Sequence, residues 1–196
     1  MAAAARLEMC GQIRLGAWRP FTAVQLLAPG RGFIWAATTR IGRFPVSGYD
    51  RFTTGSGEMR WLIGGLVPVV SSTGRDVSES AAGRLAGESI FVPTTFPYAR
   101  WDGDEFTAAA RWTVAGREET VCLDIAEDGA LLGLRMLRWG NPGGRGFGRY
   151  PFVVTVAAER TFAGMTIASQ IRASWDDGSG GGGEFFRAEI TAARFE

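Results

Sequence analysis

Along most of the chain, apolar and polar residues alternate with a period of two, the pattern of strands that bury one face and expose the other. In residues 11–17, Ile13, Leu15 and Ala17 fall on one face, and Gln12, Arg14 and Gly16 on the other. Strands are predicted next at 21–28 and 32–39, joined across Pro29-Gly30, and at 44–52 and 58–63, flanking Gly55-Ser56-Gly57. Six more are predicted at 106–114, 120–126, 131–139, 150–158, 166–175 and 185–195. Asp128-Gly129 is a tight-turn dipeptide that leads into the third of these. Residues 141–148 form a glycine-rich loop, and 176–183, DDGSGGGG, is predicted to be a mobile spacer, since no helix follows it to make a phosphate cradle.

One segment breaks the pattern. Residues 76–93, DVSESAAGRLAGESIFVP, are predicted to form the chain's one helix. Asp76 with Glu79 three residues later has the spacing of a capping box, and Pro93 and Pro97 prevent the helix from continuing. At 100° per residue, Phe91, Arg84, Val77, Glu88, Ala81 and Leu85 share an arc of about 120°. Arg84 and Glu88 therefore lie inside the apolar stripe, where a charge is costly unless it is paired or has a task. Gly83 and Gly87 sit on another face and permit close backbone approach there, at a cost of up to about 1 kcal/mol each in helix propensity.

About ten antiparallel strands and one mid-chain helix point to a mainly β fold. The expectation is a strongly curved antiparallel sheet, a half barrel of the lipoprotein-carrier or lipocalin-like kind, with a central helix at about 76–90 over its concave side. No repeat or domain-scale linker is visible, so residues 1–196 read as a single domain, with 1–10 as a disordered N-terminus.

Composition narrows the chemistry. Hydrophobic residues make up 46% and charged residues 21%, and the formal net charge is +1, so no basic field attracts nucleic acid or anionic lipid. There is no histidine, which excludes Ser-His and Cys-His nucleophiles and His-ligated metals. All 21 positive residues are arginine, so a Schiff-base lysine and a phosphate-loop lysine are excluded too. No cofactor and no metal are expected. Cys10 and Cys122 form no CxxC motif and read as free thiols, as in a reducing cytosol. The N-terminus lacks a signal-peptide core, and the longest uncharged apolar run, LIGGLVPVV, is too short to span a bilayer. A cytoplasmic location is therefore expected, and the pattern names no oligomeric state.

With the elements placed, the order of segments resembles a family. WRPFTAVQ at 18–25, FIWAA at 33–37, GYDRFTTGSGEM at 48–59 and GRLAGESIFVP at 83–93 are similar to segments of the uncharacterised bacterial family DUF6544, formerly DUF6920. Trp101, the Asp128-Gly129 hairpin and the 164–175 strand also fit, so the resemblance runs from about residue 11 to the end. Its most specific part is an arginine, a glutamate four residues later and a proline five beyond that. Ile90 and Phe91 stand where the family has an aromatic or bulky residue before the proline. The resemblance implies a β-rich single domain and no established activity.

The candidate site residues are Arg84, Glu88, Asp50, Trp35, Trp101 and Tyr150. Arg84 and Glu88 either line an internal cavity or form a structural ion pair that ties helix to sheet; as a buried pair, Glu88→Ala would cost roughly 3–5 kcal/mol. Asp50 either faces Arg84 across the core or ends its strand before a turn. The seven tryptophans either line a pocket or fill the concave face of a curved sheet, with Trp35 and Trp101 the stronger pocket candidates. Tyr150 and Arg138 either contact a ligand at a cavity mouth or lie on a solvated sheet face.

The leading reading is a protein that binds a small apolar or lipid-like molecule in the concave face. The alternatives are a carboxylate-dependent isomerase, cyclase or lyase using Glu88 or Asp50, with Arg84 stabilising an anion, or a structural module without a ligand. The expected partner is thus a small apolar ligand, with no nucleic acid and no membrane span.

Overall fold

A computed structural model describes residues 3–175 and 183–196. The spacer predicted at 176–183 lies outside the described residues except for Gly183. Thirteen strands build one antiparallel sheet: β1 (Ala5–Leu15), β2 (Ala17–Ala28), β3 (Gly32–Ile41), β4 (Phe44–Thr53), β5 (Ser56–Ile63), β6 (Val67–Thr73), β7 (Arg100–Gly103), β8 (Thr107–Val114), β9 (Arg117–Ile125), β10 (Leu131–Gly140), β11 (Gly148–Phe162), β12 (Met165–Trp175) and β13 (Gly183–Phe195). The spatial order is β6-β5-β4-β3-β2-β1-β13-β12-β11-β10-β9-β8-β7, so the first and last strands meet at the centre and the sheet has two arms. Alternation sorts the faces: in β2, Phe21, Ala23 and Leu27 are buried, while Thr22, Val24 and Leu26 face outward.

A helix, α1 (Arg75–Glu88), connects the two arms. It packs mainly on β5 and β10, which are separated by seven strands in the sheet. Laid flat, eight strand spacings span about 38 Å, whereas a helix is about 10 Å across. Both strands reach α1 only because the sheet curls around it. At one point the arms nearly touch, since a Cβ on Gly55 of the β4–β5 turn would lie 3.5 Å from Ala115 Cβ of the β8–β9 turn. The sheet stays open, with β6 and β7 as its edges.

This enclosure explains the composition of the helix. Ala82, Leu85 and Ala86 are fully buried, and Gly83 and Gly87 face Arg138 and Met136 of β10. A helix walled in by both arms needs small residues on several faces rather than one apolar stripe. The expected capping box does not form. Gly74 (φ 102°) occupies the N-cap without a side-chain bond, Asp76 accepts a hydrogen bond from Trp139 Nε1 (3.1 Å), and Glu79 pairs with Arg75. The α-helix ends at Glu88, and 3-10 turns at Ser89–Phe91 and Pro93–Tyr98 carry the chain to β7.

The seat on β5 is close. Gly57 N–H donates to Ser78 Oγ (2.9 Å), and Ser78 Oγ donates to Gly74 O (2.8 Å). A Cβ on Gly57 would lie 2.7–2.9 Å from backbone atoms of Val77 and Ser78. Those atoms are held by the helix, so Gly57→Ala is expected to cost about 1–3 kcal/mol through displacement of α1, read as a lower urea midpoint. An unchanged midpoint would show that the helix shifts freely on β5.

Two expectations are corrected here. Residues 5–10, expected within a disordered N-terminus, begin β1 at the centre of the sheet, where Ala5, Leu7 and Met9 are buried. Among the described residues the strands number thirteen rather than about ten. β6 was hidden because VPVVSST contains a proline and lacks alternation, and β7 because it is four residues long.

Candidate functional site

The inward phases of the strands and one side of α1 line an open-mouthed cavity of about 420 Å³. Phe33 and Trp35 of β3 form one wall. On β10, the alternating residues Leu134, Met136 and Arg138 face it, and on β12 so do Ile171, Ala173 and Trp175. Phe185 and Phe186 are consecutive, yet both line the cavity. The register slips between Ala173 and Ser174, which pair with Phe186 and Glu184, so Phe185 is the extra residue of a bulge and its side chain is re-aimed. Edge-on aromatic contacts knit the floor, with Phe152 5.0 Å from Trp175 and Phe186 6.1 Å from Trp35.

Four of the six sequence candidates come together. Arg84 Nε donates to Glu88 Oε1 (2.7 Å) and its Nη1 to Asp50 Oδ2 (3.1 Å). The remaining carboxylate oxygens accept from neutral donors, Glu88 Oε2 from Gln25 Nε2 (2.5 Å) and Asp50 Oδ1 from Trp61 Nε1 (3.0 Å). The Arg84 guanidinium lies 4.6 Å from the Phe33 ring centre and 5.1 Å from that of Trp35. Burial opposes its charge, but the attraction and hydrogen bonds of Glu88 and Asp50 outweigh burial and hold Arg84 above the ordinary arginine value.

The other two candidates lie outside the cavity wall. Trp101 sits on edge strand β7, pinned by its Nε1–H to Phe96 O (2.8 Å) and by edge-on contact with the Phe96 ring. Tyr150 donates its hydroxyl to Gly146 O (3.0 Å), with Arg145 over its ring. Tyr150 therefore braces the glycine-rich loop before β11.

Arg138, weighed as a cavity-mouth contact, takes the place that Tyr150 does not. Its guanidinium lies over Phe152 (4.9 Å) and Trp175 (5.3 Å), and among the described residues it makes only long bonds to Ser80 O (3.3 Å) and Oγ (3.4 Å) on α1. Burial, followed by repulsion from Arg84, pushes it down to about 10 despite the attraction of Glu88 and Asp50. Gln25, almost wholly buried, is the residue sequence reasoning passed over. Both carried one legible signal, a polar residue in the apolar phase of a strand: Phe21, Ala23, Gln25, Leu27 in β2 and Leu134, Met136, Arg138 in β10.

A second depression of about 460 Å³ lies at the surface, walled by Arg31, Arg100, Arg111 and Glu118. Its wall mixes these charges with Thr95, Tyr98 and Trp112 and is more polar than that of the concave cavity. Among the described residues, no group of three or more His, Cys, Asp or Glu side chains could hold a metal ion, and no helix is long and apolar enough to cross a membrane. Cys10 and Cys122 lie on β1 and β9 and are not bridged.

Residues 1–195 match the family described as "Family of unknown function (DUF6920)". Among solved structures, the chain is similar to a putative outer membrane lipoprotein-sorting protein domain from Vibrio parahaemolyticus, with 9% identity, 99% of this chain and 86% of that chain covered, and a TM-score of 0.49. It is also similar to a DUF1329 family protein from Desulfovibrio piger, with 9% identity, coverage of 100% and 87%, and a TM-score of 0.48. No curated protein shows significant sequence similarity to the chain.

Proposed function

The chain belongs to this DUF6920 family of unknown function, and we propose, from the cavity itself, that it binds a small apolar or lipid-like molecule in the concave face of the sheet. The observation that carries this reading is an aromatic-walled space of about 420 Å³, within the usual range of roughly 300–1,000 Å³ for ligand pockets. A structural module would bring its helix down onto the sheet and close such a space, because interiors pack densely.

An acid–base enzyme is less well supported by the same geometry. All four oxygens of Glu88 and Asp50 already accept hydrogen bonds, from Arg84, Gln25 and Trp61. A general base needs an oxygen aimed at substrate, and here each is committed to the protein.

The test is titration with the apolar dye N-phenyl-1-naphthylamine, alongside native mass spectrometry for a co-purifying molecule. Saturable fluorescence enhancement is expected. Ala173 lies on the cavity wall between Ile171 and Trp175 in the β12 phase. Ala173→Leu adds bulk where there is room, so stability should change by less than about 1.5 kcal/mol while dye affinity falls about tenfold. Dye binding unaffected by Ala173→Leu would place the ligand elsewhere.

A further inference from the structure

Among the described residues six charged side chains line the cavity, and five of them are neutralised locally. Arg51 pairs with Glu58, and Arg84 with Asp50 and Glu88. Arg138 alone has no carboxylate within ion-pair distance among the described residues. Its Nη1 bonds to no atom of the described residues, yet it is not sealed from solvent as Arg19 Nε is. A guanidinium with an open donor, resting on aromatic faces, is a receptor for a planar or tetrahedral anion.

The surroundings of Arg138 give the anion a direction. Arg138 is near the end of β10, beside Trp175 at the end of β12 and close to the exposed Phe147 of the adjoining loop. From there the wall runs inward as Met136 and Leu134 on β10, and as Ala173 and Ile171 on β12. A charged end and an apolar track therefore lie in line within one space. The Arg84 cluster faces this track from the helix, but every carboxylate oxygen there is already engaged.

Building on the reading of this cavity as a ligand site, we infer that its occupant is a single-chain anionic amphiphile, a carboxylate or phosphate monoester. Its head group bonds to Arg138 and Ser80, and its chain lies along Met136, Leu134 and Ile171. A cationic amphiphile is disfavoured by Arg138, and a neutral one leaves the guanidinium as unpaired as it is without ligand.

The experiment compares dodecanoate, dodecyl phosphate, dodecanol and inorganic phosphate by displacement of N-phenyl-1-naphthylamine and by calorimetry, on wild type, Arg138→Met and Arg138→Lys. Wild type should prefer dodecanoate and dodecyl phosphate to dodecanol by about tenfold or more, the scale of a charge-assisted hydrogen bond. Arg138→Met should bind all three chains alike, and Arg138→Lys should retain a reduced preference. Dodecanol binding as tightly as dodecanoate to wild type would overturn the head-group assignment and leave the apolar cavity standing. Full preference retained in Arg138→Met would overturn the role of Arg138. Inorganic phosphate binding as tightly as dodecyl phosphate would make this an ion site and sink the amphiphile. Failure of every chain and of the dye would remove the cavity reading itself.

Discussion

Replacement of Arg84 by alanine is expected to cost about 3–5 kcal/mol of folding stability, the penalty for stranding buried charge. Arg84 is the single cation between two carboxylates, Glu88 on its own helix and Asp50 on β4, and all three side chains are less than one-fifth exposed. Its loss leaves two carboxylates supported only by Gln25 and Trp61 and opens a void beside Phe33 and Trp35. For a chain of this length the fall in Tm should be roughly 6–20 °C. The geometry also lowers the cost expected for Glu88→Ala from an isolated Arg84–Glu88 pair. Glu88→Ala should cost less than Arg84→Ala, because Arg84 keeps Asp50. Denaturant unfolding of both variants checks the order; a loss below about 1 kcal/mol for Arg84→Ala would mean that water screens the cluster.

Arg138→Met should act in the opposite direction, stabilising the ligand-free protein by about 1–3 kcal/mol, as replacement of buried ionic groups by apolar ones of similar size often does. The gain is limited by the lost contacts with Phe152 and Trp175, of order 1 kcal/mol. Its pH dependence has a definite sign. Arg138 has a folded value of about 10, below its ordinary value, so folding is opposed by its charge wherever both states are protonated. The variant's advantage is therefore complete below about pH 10 and shrinks as pH rises from there toward the ordinary arginine value, where wild type sheds the penalty. Urea midpoints of the two proteins across that interval measure it. Equal stability at pH 7 would show that Arg138 is already compensated. A residue that weakens the empty protein yet faces a cavity fits a binding task better than a structural one.

The three charged residues of the cluster were unequally visible in the chain. Arg84 and Glu88 stood out because a helical wheel puts them among Val77, Ala81, Leu85 and Phe91, and the 3.6-residue period is local. Asp50 could be placed beside them only once β4 and α1, 34 positions apart in Asp50 and Arg84, were folded together. Trp101 and Tyr150 misled because an aromatic type carries no direction. The edge position of β7 sends one to Phe96, and a loop carbonyl takes the hydroxyl of the other. Period two would send Phe185 and Phe186 to opposite faces; the bulge opposite Ala173 and Ser174 overrides it, and a bulge depends on pairing register, which a single strand does not contain.

By itself, the sequence determined the β class, most strand positions, the one helix and the absence of histidine and lysine chemistry, because alternation, turn residues and residue type are local properties. Only the tertiary structure decided that β1 starts at Ala5 in the centre of the sheet, that β5 and β10 both reach α1, and that Arg84 is paired while Arg138 is not. Curvature is a sum of small twists over thirteen strands, and charge compensation is a matter of distances between residues remote in sequence. Neither quantity exists until the chain has folded.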